Sequence, residues 1–173
     1  NVVGTFSLPY SVVPEVLVNG QEYTVPYVTE EPSVVAAASF ACKIINRSGG
    51  FSAHVQQRLM IGQVALYQVP DREQACQKIL NQKDQLLEIA NQAYPSIVKR
   101  GGGARELRVE KVSGQTDFLV VYLHVDTQEA MGANMLNTML EALKPHLESL
   151  SCGQSLMGIL SNYATESLVT SSC

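Results

Sequence analysis

The chain has 173 residues, of which 46% are hydrophobic and 16% are charged, and its formal net charge is −4. This length can hold one ordinary domain, or one small domain plus part of another, and the apolar content excludes a disordered protein. The negative charge argues against a general nucleic-acid binder, because phosphate contacts need clustered Lys and Arg.

The cysteines and the apolar runs narrow the class of protein further. The four cysteines are widely separated and form no C-x-x-C pair. This spacing indicates neither a zinc site nor a disulfide framework, so we expect no metal and a reducing, cytoplasmic location. The longest apolar runs have strand length, so we expect no membrane-spanning segment. Because the chain opens at Asn1 without a methionine and stops at Cys173 without a terminating pattern, we expect a piece of a longer polypeptide.

The first 30 residues indicate short strands and turns. Asn19-Gly20 is a strong hairpin signal between the apolar run 16–18 and a return strand at 22–28. Pro26 lies within the return strand. We expect it to keep that strand off a central ladder position, or to mark a bulge.

A helix is predicted immediately afterwards. Pro32 suits its first position, which places Glu31 at or beside the N-cap, and Gly49-Gly50 ends it. Residues 34–45 are apolar over most of the helix surface, so we expect this helix to be buried against other helices. Locally, the adjacent carboxylates Glu30 and Glu31 fit simple complementation of the helix dipole.

Residues 61–163 form one predicted unit, in which periodicity alternates between strand and helix. Asp71 resembles a helix cap, and Pro145 is expected to kink the last helix. The order strand, helix, strand, strand, helix, strand predicts an α+β fold of the ferredoxin-like, split βαβ type, with an antiparallel sheet and two helices on one face. The predicted elements are a strand at 61–69, a helix at 72–95, a loop at 100–105, strands at 106–112 and 118–125, a helix at 134–150 and a strand at 156–160.

The turn Glu129-Ala130-Met131-Gly132-Ala133-Asn134 joins the most apolar strand to the last helix. Gly132 would let a ligand approach the main chain, and the free amides of the helix start could face a negative group. The chain contains no G-x-G-x-x-G fingerprint, and ordinary turn chemistry also explains the glycine.

Three functions are compatible with such a unit. RNA binding on the open sheet face is disfavoured, because only one central strand carries aromatic residues and acidic residues flank it. A non-catalytic module that binds a small regulatory molecule needs only loop contacts and stays open. For a nucleotide cofactor, Asp71 could accept ribose hydroxyls and Arg72 could neutralise an added phosphate, although Asp71 also fits plain capping. Since the first and third strands run antiparallel, a cofactor that touches both Asp71 and the Gly132 turn would have to lie extended across the sheet.

Two sequence blocks carry a family resemblance. The stretch T-E-E-P-S-V-V-A-A-A-S at 29–39 and the block E-A-M-G-A-N at 129–134 resemble signature motifs of hydroxymethylglutaryl-CoA (HMG-CoA) reductase, of the bacterial class II type. N-V-V-G at 1–4 resembles the family's E-N-x-x-G block without its glutamate. The resemblance covers the whole chain.

The resemblance implies an enzyme that reduces HMG-CoA to mevalonate by two hydride transfers from a nicotinamide cofactor and releases CoA. It implies a homodimer with the active site between subunits. It also implies a ferredoxin-like cofactor domain, here residues 59–160, inserted into a larger substrate and dimerisation domain, of which 1–58 and 161–173 are present.

On the substrate side, Glu31 matches the catalytic glutamate that donates a proton to the carbonyl or aldehyde oxygen, and Ser33 and Asn162 would line the substrate pocket. A helix start favours the carboxylate form of Glu31, whereas proton donation needs the acid. The family's catalytic Lys, Asp and His have no counterpart in this chain, and its three histidines match no catalytic position. We therefore expect that this stretch alone is not catalytically competent.

On the cofactor side, the resemblance places Asp71 near the adenosine ribose. Arg72 favours NADPH over NADH, although Asp71 would repel an added phosphate. Glu129 stands where the family usually has Asp. The residues that would hold the pyrophosphate side of the cofactor are Met131, Gly132, Ala133 and Asn134.

Overall fold

The computed structural model describes residues 1–173 and divides them into two compact units. Unit 1 comprises Asn1–Val55 and Val169–Cys173, and unit 2 comprises Gln56–Leu168. The strands are β1 (Tyr10–Val18), β2 (Gln21–Val28), β3 (Ser52–Val55), β4 (Leu59–Tyr67), β5 (Gly103–Val112), β6 (Phe118–Asp126), β7 (Gln154–Leu160) and β8 (Val169–Ser172). The helices are α1 (Pro32–Arg47), α2 (Arg72–Asn81), α3 (Lys83–Ala93), α4 (Pro95–Val98) and α5 (Ala133–Ser151).

Unit 1 opens with the predicted hairpin, which is confirmed. β1 and β2 pair antiparallel, and Asn19 and Gly20 have positive φ angles of 50° and 78°, as a tight hairpin turn of this kind requires. Pro26 lies opposite Val12, away from the bulge in β1, and the sheet has only these two strands, so its missing N–H costs no central ladder bond. A second small sheet pairs β3 with β8 and was not predicted from the sequence.

Helix α1 begins at Pro32 as predicted, but the expectation that it is buried against other helices is wrong for this chain. The helix packs against β1, and Cys42 is its one buried residue. Val34, Phe40 and Ile44 remain 47%, 67% and 48% exposed. The helix therefore has the apolar surface that the sequence predicts, but unit 1 leaves one side of that surface exposed.

Unit 2 contains a four-stranded antiparallel sheet with the strand order β5-β6-β4-β7. This order places the first and third strands of the unit at the centre, and the α+β class is confirmed. Helices α2, α3 and α5 share one core with alternate residues of the central strands, such as Leu119, Val121 and Leu123 of β6. Since side chains alternate across a strand, Tyr122 and His124 point to the opposite, helix-free face.

Several element boundaries in unit 2 differ from the predicted ones. The helix predicted at 72–95 is divided at Gln82, so that α2 and α3 bury separate apolar pairs in the core. β5 starts at Gly103 instead of 106, because the Asn91 side chain accepts a hydrogen bond from the Ala104 amide at 2.7 Å and holds the strand start in place. α5 runs as one helix through Pro145. No helix is long and apolar enough to cross a membrane.

Candidate functional site

The turn before α5 is built around a glycine that no other residue could replace without strain. Gly132 is the N-cap of α5 and has φ 90°. A Cβ added there would lie 2.4 Å from Thr127 Cγ2. Thr127 is 3% exposed, and its hydroxyl donates to the Ala130 carbonyl at 2.7 Å, so it cannot move aside freely. The backbone therefore approaches Thr127 more closely than any side chain allows.

The start of α5 is an open donor site. No side chain caps this helix, and the cap residue itself has no side chain, so the first amides, including those of Ala133 and Asn134, face outward without a side-chain acceptor. Met131 is 70% exposed and Asn134 is exposed, which leaves the turn accessible. A helix of 19 residues with free N-terminal amides favours a bound anion through both hydrogen bonds and its dipole.

Two arginines that the sequence reasoning missed lie at this end of the sheet. Arg58 forms an ion pair with Glu129 at 3.0 Å, and Arg105 lies 3.5 Å from Asp126 and also contacts the Gly101 carbonyl. These cations flank the turn and can meet negative charge. Arg105 was placed in a predicted loop, and nothing in the sequence marks Arg58, because its partner is 71 residues away.

A shallow cavity of about 590 Å³ opens at the same end of the sheet. Asn91, Pro95, Val98 and Lys99 line it from α3 and α4, and Ala104 lines it from β5. Ala104 pairs with Val125, next to the carboxyl end of β6 from which the turn continues. The cavity and the turn thus share one edge of unit 2, which the sequence alone did not indicate.

Asp71 and Arg72 lie at the other end of the sheet. β4 and β6 are antiparallel, and Asp71 follows the carboxyl end of β4 while the turn follows that of β6. Nine residues of strand separate the two ends, which corresponds to roughly 25–30 Å. The Asp71 carboxylate accepts a hydrogen bond from the Gln74 amide at 2.9 Å, and Arg72 forms an ion pair with Asp117 at 3.0 Å. The structure therefore places Arg72 against the β5–β6 hairpin and Asp71 at the start of α2, and it places neither residue at the Gly132 turn.

Glu31 occupies the N-cap of α1 in unit 1, as predicted. Its carboxylate accepts a hydrogen bond from the Ser33 amide at 3.1 Å. The hydrogen bonds from Ser33 lower the pKa of Glu31 below its ordinary value. Burial would raise this pKa, but the carboxyl is fully exposed, so the opposing effect is small. Both residues are exposed on the surface of unit 1, and Asn162 is exposed on unit 2, in the bend that follows β7. In this chain, then, Glu31 is set to be a carboxylate.

Comparison with known proteins decides the family. A family model described as hydroxymethylglutaryl-coenzyme A reductase matches residues 1–173, the whole chain. The chain belongs to the hydroxymethylglutaryl-coenzyme A reductase family. The family predicted from the two signature blocks is therefore confirmed.

Relatives of this chain include proteins of known structure. The chain is 80% identical, with a TM-score of 0.96, to a class II 3-hydroxy-3-methylglutaryl-CoA reductase from Streptococcus pneumoniae whose structure is described as bound to NADPH in open conformations. Another solved reductase from the same organism is 79% identical with a TM-score of 0.97. A 3-hydroxy-3-methylglutaryl-coenzyme A reductase from Archaeoglobus fulgidus is 40% identical over 167 residues.

The matches cover this chain almost completely but cover less than half of each relative. All of the chain aligns with 47% of the two S. pneumoniae chains, and 95% of it aligns with 38% of the A. fulgidus protein. The chain thus spans under half the length of these reductases. It contains the two blocks, 29–39 and 129–134, that carry the family resemblance.

Proposed function

We propose that the protein acts as an HMG-CoA reductase, reducing HMG-CoA to mevalonate and CoA with two hydride equivalents from NADPH, or alternatively NADH. The observation that carries the proposal is the rigid Gly132 turn with the uncapped start of α5, found in a chain of the reductase family. The S. pneumoniae relative described as bound to NADPH supports the choice of cofactor.

The residues at the turn fit a dinucleotide phosphate group. The amides of Ala133 and Asn134 would hold the pyrophosphate, with Met131 and Gly132 shaping the turn and Glu129 held by Arg58. When bound, the nicotinamide supplies the hydride. The chain's own contribution is to bind and orient the phosphates, because the glycine lets the ligand reach main-chain donors directly.

The cavity beside α3 and α4 gives the rest of the cofactor a place at the same edge. Its volume of about 590 Å³ lies within the range of ligand pockets, roughly 300–1,000 Å³. We propose that the nucleoside half extends from the turn toward this cavity, where Arg105 would exchange its contact with Asp126 for a phosphate. A ribose contact at Asp71, with Arg72 as phosphate partner, requires instead a cofactor that spans the sheet. The two arrangements make opposite predictions for Asp71 variants.

Glu31 is proposed as the proton donor to the carbonyl or aldehyde oxygen, with Ser33 and Asn162 in the substrate pocket. In this chain its pKa is lowered by the Ser33 hydrogen bonds, which opposes proton donation. Donation therefore needs a second influence on the carboxyl, either burial or a lysine that shares its proton. We propose that parts of the parent protein outside these residues supply it. The 173-residue stretch alone should then show no turnover.

We further propose a homodimer with the active site between subunits, in the cytoplasm. The support for the dimer is the uncovered apolar side of α1, which begins at the Glu31 cap and exposes Val34, Phe40 and Ile44. An apolar patch of this kind on a helix that starts at a catalytic residue fits a subunit interface. The four free thiols fit a reducing compartment. Unit 1 would belong to the substrate domain and unit 2 would be the ferredoxin-like cofactor domain.

The test is NADPH and NADH oxidation in the presence of HMG-CoA, with the full-length parent and its Glu31→Gln variant. We expect the variant to lose at least about 100-fold in kcat while keeping its affinity for NADPH, because Gln fills the same space and accepts the Ser33 hydrogen bond but carries no proton to donate. Unchanged turnover would show that Glu31 serves only as the N-cap of α1 and does not donate a proton. NADPH binding without any HMG-CoA-dependent oxidation would instead favour the non-catalytic binding module.

A further inference from the structure

An exposed ion pair joins the segment that enters unit 2 to the turn before α5. Arg58 directly precedes β4, and its guanidinium lies 3.0 Å from the Glu129 carboxylate. The two residues meet because Leu59, the first residue of β4, pairs with Asp126, the last residue of β6. Arg58 therefore lies beside the turn that follows β6, although it is 71 residues away from Glu129 in the chain.

Glu129 is the more weakly held of the two carboxylates at this turn. Asp126 accepts hydrogen bonds from the main-chain and side-chain amides of Gln128, at 2.9 and 3.0 Å, in addition to its contact with Arg105. The Glu129 side chain is 89% exposed and pairs with Arg58 alone. Without Arg58, the turn would therefore carry a full negative charge with no partner.

This negative charge is close to the start of α5. Glu129 precedes the N-cap Gly132 by three residues, which span at most about 11 Å even in an extended chain. The turn is folded, because the Ala130 amide donates to the Thr127 carbonyl at 3.1 Å and Gly132 packs against Thr127. The Debye length at physiological ionic strength is about 8 Å, so the two groups interact. An unpaired carboxylate at this position opposes the binding of an anion to the α5 amides.

The ion pair itself contributes little to folding. The side chains of Arg58 and Glu129 are 53% and 89% exposed, and ion pairs with this much exposure stabilise a protein only slightly. Arg58 donates no hydrogen bond to the main chain of the turn, whose shape depends on the Thr127 hydroxyl and on the contact with Gly132. The ion pair therefore acts mainly on the charge that an incoming anion meets.

We propose that Arg58 is a positioning residue of the cofactor turn, which holds and neutralises the Glu129 carboxylate and so lets the α5 amides accept the pyrophosphate of NADPH or NADH. The inference rests on the proposed reductase function. It adds a residue that lies outside the two blocks 29–39 and 129–134. Arg58 acts through Glu129 and not by contact with the phosphates, so a turn that lacks both charges should bind the cofactor equally well.

The experiment measures the affinity of the full-length parent for NADPH by fluorescence titration. Arg58→Gln should weaken NADPH binding about fivefold, which corresponds to roughly 1 kcal/mol. Arg58→Lys keeps the charge and should bind NADPH within about twofold of the parent. The double variant Arg58→Gln/Glu129→Gln should also return to within about twofold of the parent, because both charges are removed together.

Salt and a matched control separate charge from structure. In 0.5 M salt the Debye length is about 4 Å, so the loss of affinity in Arg58→Gln should fall below about twofold. Lys144→Gln breaks another ion pair, with Glu141 at 3.0 Å, at a position 11 residues along α5 from Ala133. This separation is roughly 16 Å, so the control should bind NADPH like the parent.

Two results would overturn the inference while the parent still binds NADPH. Unchanged binding by Arg58→Gln would show that the turn tolerates the free Glu129 charge. A double variant as weak as Arg58→Gln would show that Arg58 contacts the cofactor directly or shapes the turn. A parent that does not bind NADPH would instead overturn the proposed function, and this inference with it.

Discussion

At the scale of single residues, two positions have unusual local environments. Gly132 is required by a positive φ and by the position of Thr127, which together exclude any Cβ. His124 is buried without a partner for Nδ1. Both positions have a structural cost that a sequence selected for stability alone would avoid, and both therefore lead to direct predictions.

The first prediction concerns Gly132→Ala. We expect it to lower the free energy of unfolding by about 1–3 kcal/mol, through the positive φ and the clash with Thr127, and to weaken NADPH binding because the turn must move. Urea unfolding and NADPH titration measure both effects. The control is Gly49→Ala, which has φ 105° and open space around it, and which should cost stability but not cofactor affinity. Equal losses of affinity in the two variants would contradict a role for the turn.

The second prediction concerns pH. Burial, and then the charge of Arg108, lower the pKa of His124, while Glu106 and Glu166 oppose this and Lys83 adds to it. The unfolded chain therefore takes up the His124 proton at a higher pH than the folded protein does. The free energy of unfolding is therefore unaffected by His124 above the ordinary histidine pKa of about 6.5. It decreases as the pH falls below that value, because the unfolded chain binds a proton that the folded protein does not. Urea unfolding between about pH 7.5 and 5.5 should show this loss, and it should be smaller in His124→Leu. The same slope in both proteins would refute the assignment.

At the scale of elements, the important comparison is between the starts of two helices. Asp71 caps α2 with its own carboxylate, which accepts the Gln74 amide, whereas α5 starts at Gly132 with no side-chain cap. A capped start has its amides satisfied, and an uncapped start leaves them for a ligand. The start of α5 can therefore accept a phosphate, whereas the Asp71 carboxylate is used in a hydrogen bond within α2. The two helix starts lie at opposite ends of the sheet.

The third prediction separates capping from cofactor binding at Asp71. Asp71→Ala should lower the free energy of unfolding by about 0.5–2 kcal/mol, whereas Asp71→Asn, an equally good cap, should keep the stability. A ribose contact through the carboxylate would make Asp71→Asn bind NADPH and NADH more weakly despite its stability. If the Asn variant keeps its cofactor affinity, the ribose role of the Asp71 carboxylate is excluded, and the cavity beside α3 is favoured.

At the scale of the whole molecule, the chain has one well-covered core and one uncovered surface. Unit 2 buries a continuous core between its sheet and three helices, while unit 1 has a small core around Val13, Val16 and Cys42. The exposed side of α1 is an apolar surface that unit 1 does not cover, and it underlies the proposed dimer.

The fourth prediction tests that dimer. Phe40→Ser, at a position 67% exposed on α1, should weaken self-association of the full-length parent by at least about tenfold, because the partner loses a buried aromatic contact. Light scattering after size exclusion, over a range of concentrations, measures the change. Leu80→Ser, at a 44% exposed position on α2, is the matched control and should leave the dimer intact. Dissociation by both variants, or by neither, would argue against α1 as the interface.

Local chemistry in the sequence determined most of the elements and the turn. The Asn19-Gly20 hairpin, the start of α1 at Pro32 and the glycine before α5 follow from conformational preferences that act over a few residues. The antiparallel α+β unit follows from the order of strand and helix periods. The two signature blocks determined the family, because motif spacing is a property of the chain alone.

Tertiary structure alone decided which residues meet. The pairing of Arg58 with Glu129 joins positions 71 apart, and the cavity that His124 lines joins residues of β4, β5 and β6 with the segment after β7. Asn91 sets the start of β5 from a helix, which no local pattern reveals. The sequence also could not predict that one side of α1 is uncovered. An apolar helix surface has the same residue pattern whether its own chain or a partner covers it. Residue preferences are local, whereas contacts and burial depend on how distant segments pack.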